Sequence, residues 1–476
     1  MSKRRPSSFG AAIRSILIPG WGQMVINRPI LGKALIFTTG LLGIAALTVF
    51  LFADPVELYA WLVDPDVLLF VVFGNFLFAA VRLFSTGHAW VVSGGRRWFV
   101  AVLLAAIVAI PHAAIAWVGL ETRGSMLRVF PESTPPAAAA SSTTTGAAAT
   151  TTTTEPTTTT TDMTLTPVEP AAPGEYGSDE IDLDDVPLWR PFGEERLNIL
   201  LLGGDAGPGR PGLRTDTIMV ASIDPVSGDS ALIGLPRNFG GVTFKDGSEV
   251  PVRRINHVYW WASDKPDQFD GPDPGAAAIR DVAENITGLS IDYFMLVDLT
   301  GFGDLVDAFG GVNLTVPDAV DGPLYDPETG EYEMVRIPEG EQQLDGDHAL
   351  AYARARYGSS DYVRMGRQRC IVASMASDAD PMTLLPRFSN LLDVVETNMS
   401  TDMPVDLLPE LVRLAPRVEP ADVRVIGFDS TWNAGRTSDG HAIPDIERIR
   451  ETVVQTIEDP ASAEEMGVAT AESACG

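Results

Sequence analysis

The sequence predicts an α/β sandwich around one mixed sheet, preceded by three transmembrane helices and a disordered linker. Long apolar runs without charge lie before residue 120, an Ala/Thr/Pro-rich stretch follows, and alternating strand and helix patterns begin near Arg196. We therefore expect five segments: a cytoplasmic or interfacial segment (1–33), three transmembrane helices (34–120), a linker (121–195), an α/β domain (196–430) and a C-terminal extension (431–476).

Three apolar runs, residues 34–53, 67–84 and 98–120, are each close to the roughly 20 residues that a spanning helix needs. The alternative for any one run is a buried core helix, but three in succession favour a membrane. Residues 9–30 are also fairly apolar, but they contain Arg14, and a central arginine costs about 2.5–3.5 kcal/mol on insertion scales. We expect this segment to be interfacial or re-entrant.

Charged residues beside the apolar runs predict the orientation of the chain. Basic residues precede the first run, acidic residues fill the first loop, and basic residues border the second loop. They are, in that order, Lys3, Arg4, Arg5, Arg14, Arg28 and Lys33, then Asp54, Glu57, Asp64 and Asp66, then Arg82, Arg96 and Arg97. Because basic loops stay in the cytoplasm, this order places everything after residue 120 outside the cell, on a multi-pass protein of the cell membrane.

Residues 131–173 are dominated by Ala, Thr and Pro. Such a segment has too few apolar side chains to offset the entropy lost on ordering. We expect a disordered spacer that lifts the following domain off the membrane. Either an O-glycosylated spacer or a plain tether fits this composition.

The net charge of −29 argues against a general nucleic-acid binder, because binding the phosphate backbone requires many basic residues. Much of the acidity lies in the linker and in the tail, so a local arginine cluster can still hold an anion. The two cysteines, Cys370 and Cys475, can form a disulfide outside the cell or remain free thiols. Five scattered histidines without metal-ligand spacing argue against a zinc site.

Strands are expected at residues 197–202, 217–223 and 231–235, with a tight turn between the last two. If those two strands are antiparallel neighbours, the start of one lies beside the end of the other. This arrangement brings two carboxylates and two arginines together, namely Asp205, Asp216, Arg214 and Arg237. Further along, the pattern predicts helices at residues 275–287 and 303–309, each stopped by glycine, and a strand at 293–297.

Asp205 and Asp216 suit a magnesium ion, which takes one or two carboxylates and completes its shell with water and phosphate oxygens. The alternative is that Asp205 only caps a turn while Arg214 pairs with Asp216 on the surface. The glycine-rich loop at 203–209 is no nucleotide-binding Walker loop, because no Lys-Ser/Thr pair follows it.

A second cluster of arginines follows a helix predicted to begin at Asp345. If the chain is extended after this helix, Arg354 and Arg356 point to one face. Asp361 caps the next helix, on which Arg364 and Gln368 are four residues apart and therefore neighbours. Several arginines aimed at one place favour a diphosphate. A structural salt-bridge network is the competing explanation, which we expect to fit less well because few acids lie nearby.

These segments, in this order, resemble the LytR-CpsA-Psr family. The matching strings are NILLLGGD ending at Asp205, RTDT from Arg214, LPR ending at Arg237, RIN ending at Asn256, GGV from Gly310, LDG ending at Gly346, ALAYARAR ending at Arg356, and DYVRMGRQ from Asp361 to Gln368. The resemblance covers about residues 196–378 and fades towards residue 430. Each string is short, but the ordered set is highly specific.

The resemblance implies an α/β sandwich with an apolar pocket for a polyprenyl chain. The implied activity moves a glycopolymer from a polyprenyl pyrophosphate carrier to a peptidoglycan hydroxyl, forming a phosphodiester. Asp205 and Asp216 would hold Mg²⁺, and Arg214 would be the catalytic residue. The remaining residues would bind the pyrophosphate: Arg237, Arg354, Arg356, Arg364 and Gln368. One departure is Asn238, because the family usually has Asp after the Pro-Arg pair.

Two other functions fit the same residues. A pyrophosphate hydrolase would use water as the acceptor, and a non-catalytic lipid-binding or regulatory membrane protein would hold the anion without turnover. The expected partners are the polyprenyl pyrophosphate-linked glycopolymer, peptidoglycan and the membrane, without nucleic acid. The identity of the glycopolymer does not follow from the residues.

Overall fold

The computed structural model describes residues 7–131, 196–205, 213–326, 331–356, 360–377, 387–459 and 468–470. The predicted disordered linker therefore lies outside the described residues, except for its beginning. That beginning is helical, because the last membrane helix continues to Val129. The linker boundary at residue 121 is therefore wrong. Cys370 takes part in a disulfide bond, whereas Cys475 lies outside the described residues.

The N-terminal part is helical. Three helices are long and apolar enough to cross a membrane, as the sequence predicts. The helices of this part are α1 Ser8–Leu17, α2 Trp21–Val25, α3 Pro29–Phe52, α4 Pro55–Leu62, α5 Pro65–Val92 and α6 Trp98–Val129. Of these, α3, α5 and α6 are the candidate spans, and α4 lies in the loop between the first two.

The segment before the first span forms two short helices that pack against α5. The Ser15 hydroxyl donates to the Gln23 side-chain oxygen over 3.0 Å, and the Gln23 amide donates to the Ser85 carbonyl over 2.7 Å. Arg82 also donates to the Ile16 carbonyl over 2.6 Å, at the C-terminal end of α1. The ten residues of α1 are too few to cross a bilayer, which fits the expected interfacial or re-entrant segment.

The α/β domain is built on a seven-stranded mixed sheet. Its strands are β1 Leu197–Gly204, β2 Thr215–Ile223, β3 Ser230–Gly234, β4 Tyr293–Val297, β9 Met399–Thr401, β10 Arg424–Gly427 and β13 Ala469–Thr470. Across the sheet they follow the order β13-β10-β3-β2-β1-β4-β9. The predicted hairpin of β2 and β3 is confirmed, and β1 pairs antiparallel with β2 and parallel with β4. Two-stranded sheets complete the domain, formed by β5 Val312–Val316 with β8 Gly340–Leu344, β6 Val320–Asp326 with β7 Glu331–Ile337, and β11 Asn433–Arg436 with β12 Ala442–Pro444.

Helices cover both faces of the large sheet, which confirms the predicted fold class. They are α7 Val258–Ala262, α8 Pro274–Thr287, α9 Leu299–Phe309, α10 Gly346–Arg354, α11 Asp361–Ser377, α12 Phe388–Asn398, α13 Leu408–Leu414 and α14 Ile446–Glu458. The face bearing Leu200 and Leu202 packs against α7, α8 and α14 in the largest apolar core. The predicted stop of α8 is confirmed, since Gly288 has a φ of 77° that disfavours other residues.

The domain does not end at residue 430 as expected. Ala442, Ile449 and Val453 belong to the main apolar core, and β13 pairs with β10 at the edge of the large sheet. The C-terminal residues are therefore an integral layer of the domain. The local sequence pattern does not reveal this, because the partners of α14 lie far away in the chain.

The domain is not lifted off the membrane helices, contrary to the expectation for the linker. The ends of α4 and α6 share a buried apolar cluster with β1, α12 and α13. The backbone amide of Val405 also donates to the carbonyl of Pro131 over 2.9 Å. The membrane helices therefore form a packed support for the domain.

Candidate functional site

A cavity of about 240 Å³ lies between the large sheet and helices α9, α10 and α11. One group of its lining residues is polar or charged: Asp205, Asp216, Asp298, Arg354, Arg364 and Gln368. The rest is mainly apolar and includes Leu201, Met219, Met295, Phe302, Val372 and Met375. The cavity thus joins an apolar chamber to a charged end, which suits an amphiphile with an anionic head.

Asp205 and Arg214 lie at the charged end, where β1 finishes and β2 begins. The backbone amide of Arg214 donates to Asp205 Oδ1 over 2.8 Å, and Arg214 Nε lies 3.3 Å from Asp205 Oδ2. The Asp205 side chain is 7% exposed, whereas that of Arg214 is 48% exposed. Arg214 can therefore reach a ligand while its neighbour keeps it oriented.

Asp216 is held between three side chains. Its Oδ2 pairs with Arg237 Nη1, its Oδ1 accepts from the Asn256 amide over 3.0 Å, and Arg364 Nη1 lies 4.0 Å from Oδ2. Burial raises the pKa of Asp216, but the charge of Arg237 and the Asn256 hydrogen bond outweigh it, so the pKa lies below its usual range. The contacts of ionised Asp216 therefore stabilise the folded protein above the usual carboxyl pKa. This contribution to stability is lost as the pH falls through the lowered pKa.

Asp361, at the start of α11, forms ion pairs with three of the arginines. Arg237 donates to both of its carboxylate oxygens, over 3.2 and 3.0 Å. Arg364 Nη2 and Arg356 Nη2 lie 3.3 and 3.5 Å from Asp361 Oδ1. The expectation that too few acids lie nearby to pair the arginines is therefore wrong, because one carboxylate serves three of them.

Arg364 is the most deeply buried of these arginines, with a side chain only 5% exposed. Burial and the repulsion of Arg237 lower its pKa to about 10, which still leaves it charged at neutral pH. Its Nε is buried without a hydrogen-bond partner among the residues that the structure describes. A buried, incompletely paired guanidinium at the charged end of a cavity favours an anionic ligand.

The remaining predicted residues border the same region. The guanidinium of Arg354 lies 4.7 Å from the centre of the Tyr332 ring, a cation–π contact with hairpin β6–β7. Gln368 lines the cavity and donates to the Ala353 carbonyl over 3.4 Å. Arg356 is 58% exposed, at the outer side of Asp361. The two clusters predicted from distant parts of the sequence therefore meet, and Asp361 and Asp216 connect them.

The LytR_cpsA_psr family model matches residues 154–456, more than half of the chain. The chain belongs to the LytR-CpsA-Psr family. The matched range contains all the predicted site residues and most of α14. It ends well beyond residue 430, in agreement with the packing of this helix.

Similar curated proteins carry the name polyisoprenyl-teichoic acid–peptidoglycan teichoic acid transferase TagU. The protein from Oceanobacillus iheyensis is 29% identical over 221 residues, 46% of this chain and 62% of that protein. The protein from Bacillus subtilis is 25% identical over 215 residues, 45% of this chain and 62% of that protein. The chain thus spans somewhat less than two thirds of the length of these relatives.

Among solved structures, B. subtilis TagV matches with 21% identity and a TM-score of 0.43, covering 56% of this chain and 98% of that chain. A structure described as TagT bound to LIIa-WTA matches with 17% identity and a TM-score of 0.39, covering 58% of this chain and 96% of that chain.

The departure from the family pattern at Asn238 lies beside Arg237. Its side-chain oxygen is buried and has no hydrogen-bond partner in the described part of the chain. Arg237 is oriented instead by Asp216 and Asp361. An acid at position 238 is therefore not needed to hold this arginine.

His257 is a neighbour of the site that sequence reasoning missed. It follows Asn256, and it interacts electrostatically with Arg254, Arg214, Asp216 and Asp205. Burial, followed by the two arginines, lowers its pKa, so the imidazole is neutral at neutral pH and can accept a proton. The Arg-Ile-Asn string before His257 is one of the family motifs and marks this part of the site. A single histidine after that string carries no such signal in the sequence.

The two predicted magnesium ligands fit the ion by their chemistry. Asp205 and Asp216 line one cavity, and a magnesium ion needs only one or two carboxylates when water and phosphate supply the rest. Both carboxylates already contact arginines, and no group of three or more metal-binding side chains occurs among the described residues. Any ion here would therefore depend on the substrate for part of its shell.

Proposed function

We propose that the protein transfers a glycopolymer from a polyprenyl pyrophosphate carrier to a peptidoglycan hydroxyl and forms a phosphodiester link. The supporting observation is one cavity with an apolar chamber and a charged end lined by Arg354 and Arg364, with Arg214 paired to the lining residue Asp205. This combination matches a ligand with an isoprenoid chain and a diphosphate head. The curated relatives named above are teichoic acid–peptidoglycan transferases, which supports the same reaction class.

In the proposed reaction, the acceptor hydroxyl oxygen forms a bond to the glycan-side phosphorus. The bond between that phosphorus and the bridging oxygen breaks, polyprenyl phosphate leaves with the electron pair, and the hydroxyl proton is released. Arg214 is the residue proposed to contact the transferring phosphoryl group, because its side chain is 48% exposed and is paired with Asp205, which lines the charged end. Arg237, Arg354, Arg356, Arg364 and Gln368 are proposed to bind the two phosphates.

Asp205 and Asp216 are proposed to hold magnesium. When bound, this ion would neutralise charge on the phosphate oxygens. The contacts with Arg214 and Arg237 orient the two carboxylates. Removing both carboxylates is expected to weaken magnesium dependence non-additively, because both would serve one ion.

The cavity is proposed to work outside the cell, where peptidoglycan and the lipid-linked donor meet. The order of basic and acidic flanks around α3, α5 and α6 supports this orientation. The pyrophosphate bond carries its own driving force, so the reaction does not require a nucleotide.

The test uses the full-length protein in detergent with a lipid-linked oligosaccharide, a peptidoglycan fragment and magnesium, read by mass spectrometry. A phosphodiester-linked product supports the ligase, a free sugar phosphate indicates a hydrolase, and no turnover indicates a binding protein. Arg214→Ala is expected to lower turnover about 10²–10³-fold, the range for loss of one preorganised donor. Arg436→Ala, an exposed arginine bonded to the Gly440 carbonyl, is the matched control. Full activity of Arg214→Ala with saturating donor would remove Arg214 from the mechanism.

A further inference from the structure

The contact between the membrane helices and the α/β domain is a buried, apolar interface. The membrane part contributes Val63, Leu68, Met126 and Phe130, all at most 8% exposed. The domain contributes Leu197, Ile199, Leu392, Met403, Val405, Leu407 and Leu414. We call these residues the docking cluster. A flexible tether would not require such a cluster, because burial of apolar surface stabilises one relative position of its two sides.

Two ion pairs border the docking cluster. Arg413 of α13 makes a bidentate contact with Glu57 of α4, through Nε at 2.8 Å and Nη2 at 2.9 Å. Arg128 of α6 contacts both carboxylate oxygens of Glu396 on α12, with Nη2 at 3.0 Å from Oε2. A bidentate contact between a guanidinium and a carboxylate fixes the relative orientation of the two groups as well as their distance. The two pairs join different helices of the N-terminal part to different domain helices, so together they oppose rotation of the domain.

The docking cluster is continuous with the cavity along one face of β1. Leu197, Ile199 and Leu201 point to the same face by the period of two. Leu197 and Ile199 are members of the docking cluster, and Leu201 packs against it and also lines the cavity. Met295 on the neighbouring strand β4 has the same double role.

Beyond Leu201, the same strand leads to Gly203 and Asp205 at the charged end of the cavity. At a rise of about 3.3 Å per residue, Ile199 and Asp205 are separated by about 20 Å along β1. The apolar chamber therefore lies between the docking cluster and the charged end.

We propose that the docked membrane helices hold the apolar chamber against the bilayer, so that the isoprenoid chain of the donor passes from the membrane directly into the cavity. The proposal rests on the proposed function, since it concerns how that lipid donor reaches the site. An isoprenoid chain that stays in apolar surroundings avoids exposure of its surface to water. Docking thus acts on capture of long-chain donors, and it leaves the chemistry at Arg214 unchanged.

The test compares two donors. The wild type, Glu57→Arg, Arg413→Glu and the double exchange Glu57→Arg/Arg413→Glu are assayed in proteoliposomes containing a long-chain polyprenyl donor. They are also assayed in detergent with a short-chain, water-soluble donor. Each single charge reversal is expected to raise the apparent KM for the long-chain donor about tenfold, because like charges then face each other at the interface. The double exchange is expected to restore part of this loss, because Arg413 also pairs with Glu410, which the new carboxylate at position 413 then faces.

With the short-chain donor, the apparent KM values of all four proteins are expected to agree within about twofold. The matched control is Arg253→Glu, which reverses an exposed arginine 3.6 Å from Asp439 and away from the docking cluster. Unchanged long-chain kinetics in both single variants would overturn the proposal. An equal loss with both donors would also overturn it, since this indicates damage to the fold or to the site, and thermal unfolding then separates those two causes. Failure of the wild type with both donors refutes the proposed function instead.

Discussion

At the scale of single residues, two acids at the charged end of the cavity each contact more than one arginine. Asp361 contacts Arg237, Arg356 and Arg364, and Asp216 contacts Arg237 and Arg364. Three arginines therefore share two carboxylates, which leaves one positive charge in excess. Burial and the repulsion of Arg237 lower the pKa of Arg364 to about 10. The network therefore keeps excess positive charge available for an anion.

Asp361→Asn tests this network. The substitution keeps the shape but removes the charge that three arginines share, and loss of one partner of a buried pair costs about 3–5 kcal/mol. We expect a lower free energy of unfolding for the full-length protein in detergent, measured by denaturant titration. Added inorganic pyrophosphate should recover part of it, because the anion replaces the missing charge.

Asp393→Asn, at an exposed position of α12, is the matched control and should leave the free energy of unfolding unchanged. If pyrophosphate stabilises the Asp361→Asn protein no more than the wild type, the arginines do not share this charge as described.

At the scale of elements, the position of α10 is set by glycines that permit close backbone contact. A Cβ added to Gly346 would lie 2.1 Å from the carbonyl oxygen of Gly303 on α9. A Cβ added to Gly322 on β6 would lie 2.2 Å from the carbonyl oxygen of Ala351. Because α10 carries Ala353 and Arg354 into the cavity wall, these contacts determine where that wall lies.

Gly346→Ala should therefore push α10 away from α9. Overpacking of this kind typically costs about 1–3 kcal/mol of stability. We also expect weaker binding of the lipid donor, measured as a higher KM, because Arg354 moves with the helix. Gly435→Ala is the control, since a Cβ there meets nothing within 4 Å. A Gly346→Ala protein with wild-type KM and stability would show that α10 adapts without moving the cavity wall.

At the scale of the whole molecule, the membrane helices and the domain form one packed unit, joined through the docking cluster. The position of the charged end relative to these helices therefore depends on this contact. Orientation across the membrane is a separate property, which the distribution of basic residues predicts.

Reporter fusions test that orientation. A reporter fused after Pro131 should be active outside the cell, and one fused in the Gly94-Gly95 loop should be active inside, because basic residues border that loop. Alkaline phosphatase and a fluorescent protein that matures only in the cytoplasm give opposite readings at each position. Reversal of both signals would contradict the extracytoplasmic assignment.

Features that depend on neighbouring residues were predictable from the amino-acid sequence. The three spans follow from apolar length, the β2–β3 hairpin from its turn, and the stop of α8 from Gly288, since each depends on local conformational preference. The ordered motifs also identified the site residues that line or border the cavity. Short-range patterns were sufficient to identify the family, because its motifs are short and their order along the chain is specific.

The tertiary structure alone showed which charges meet and what supports the domain. Asp361 pairs with Arg237 across 124 positions, and Glu57 pairs with Arg413 across 356 positions. The packing of α14 on the main core likewise moved the end of the domain beyond residue 430. Such contacts carry no local signal, because a surface acid and a buried partner of an arginine look alike in the chain. Only folding determines which of them is desolvated and paired.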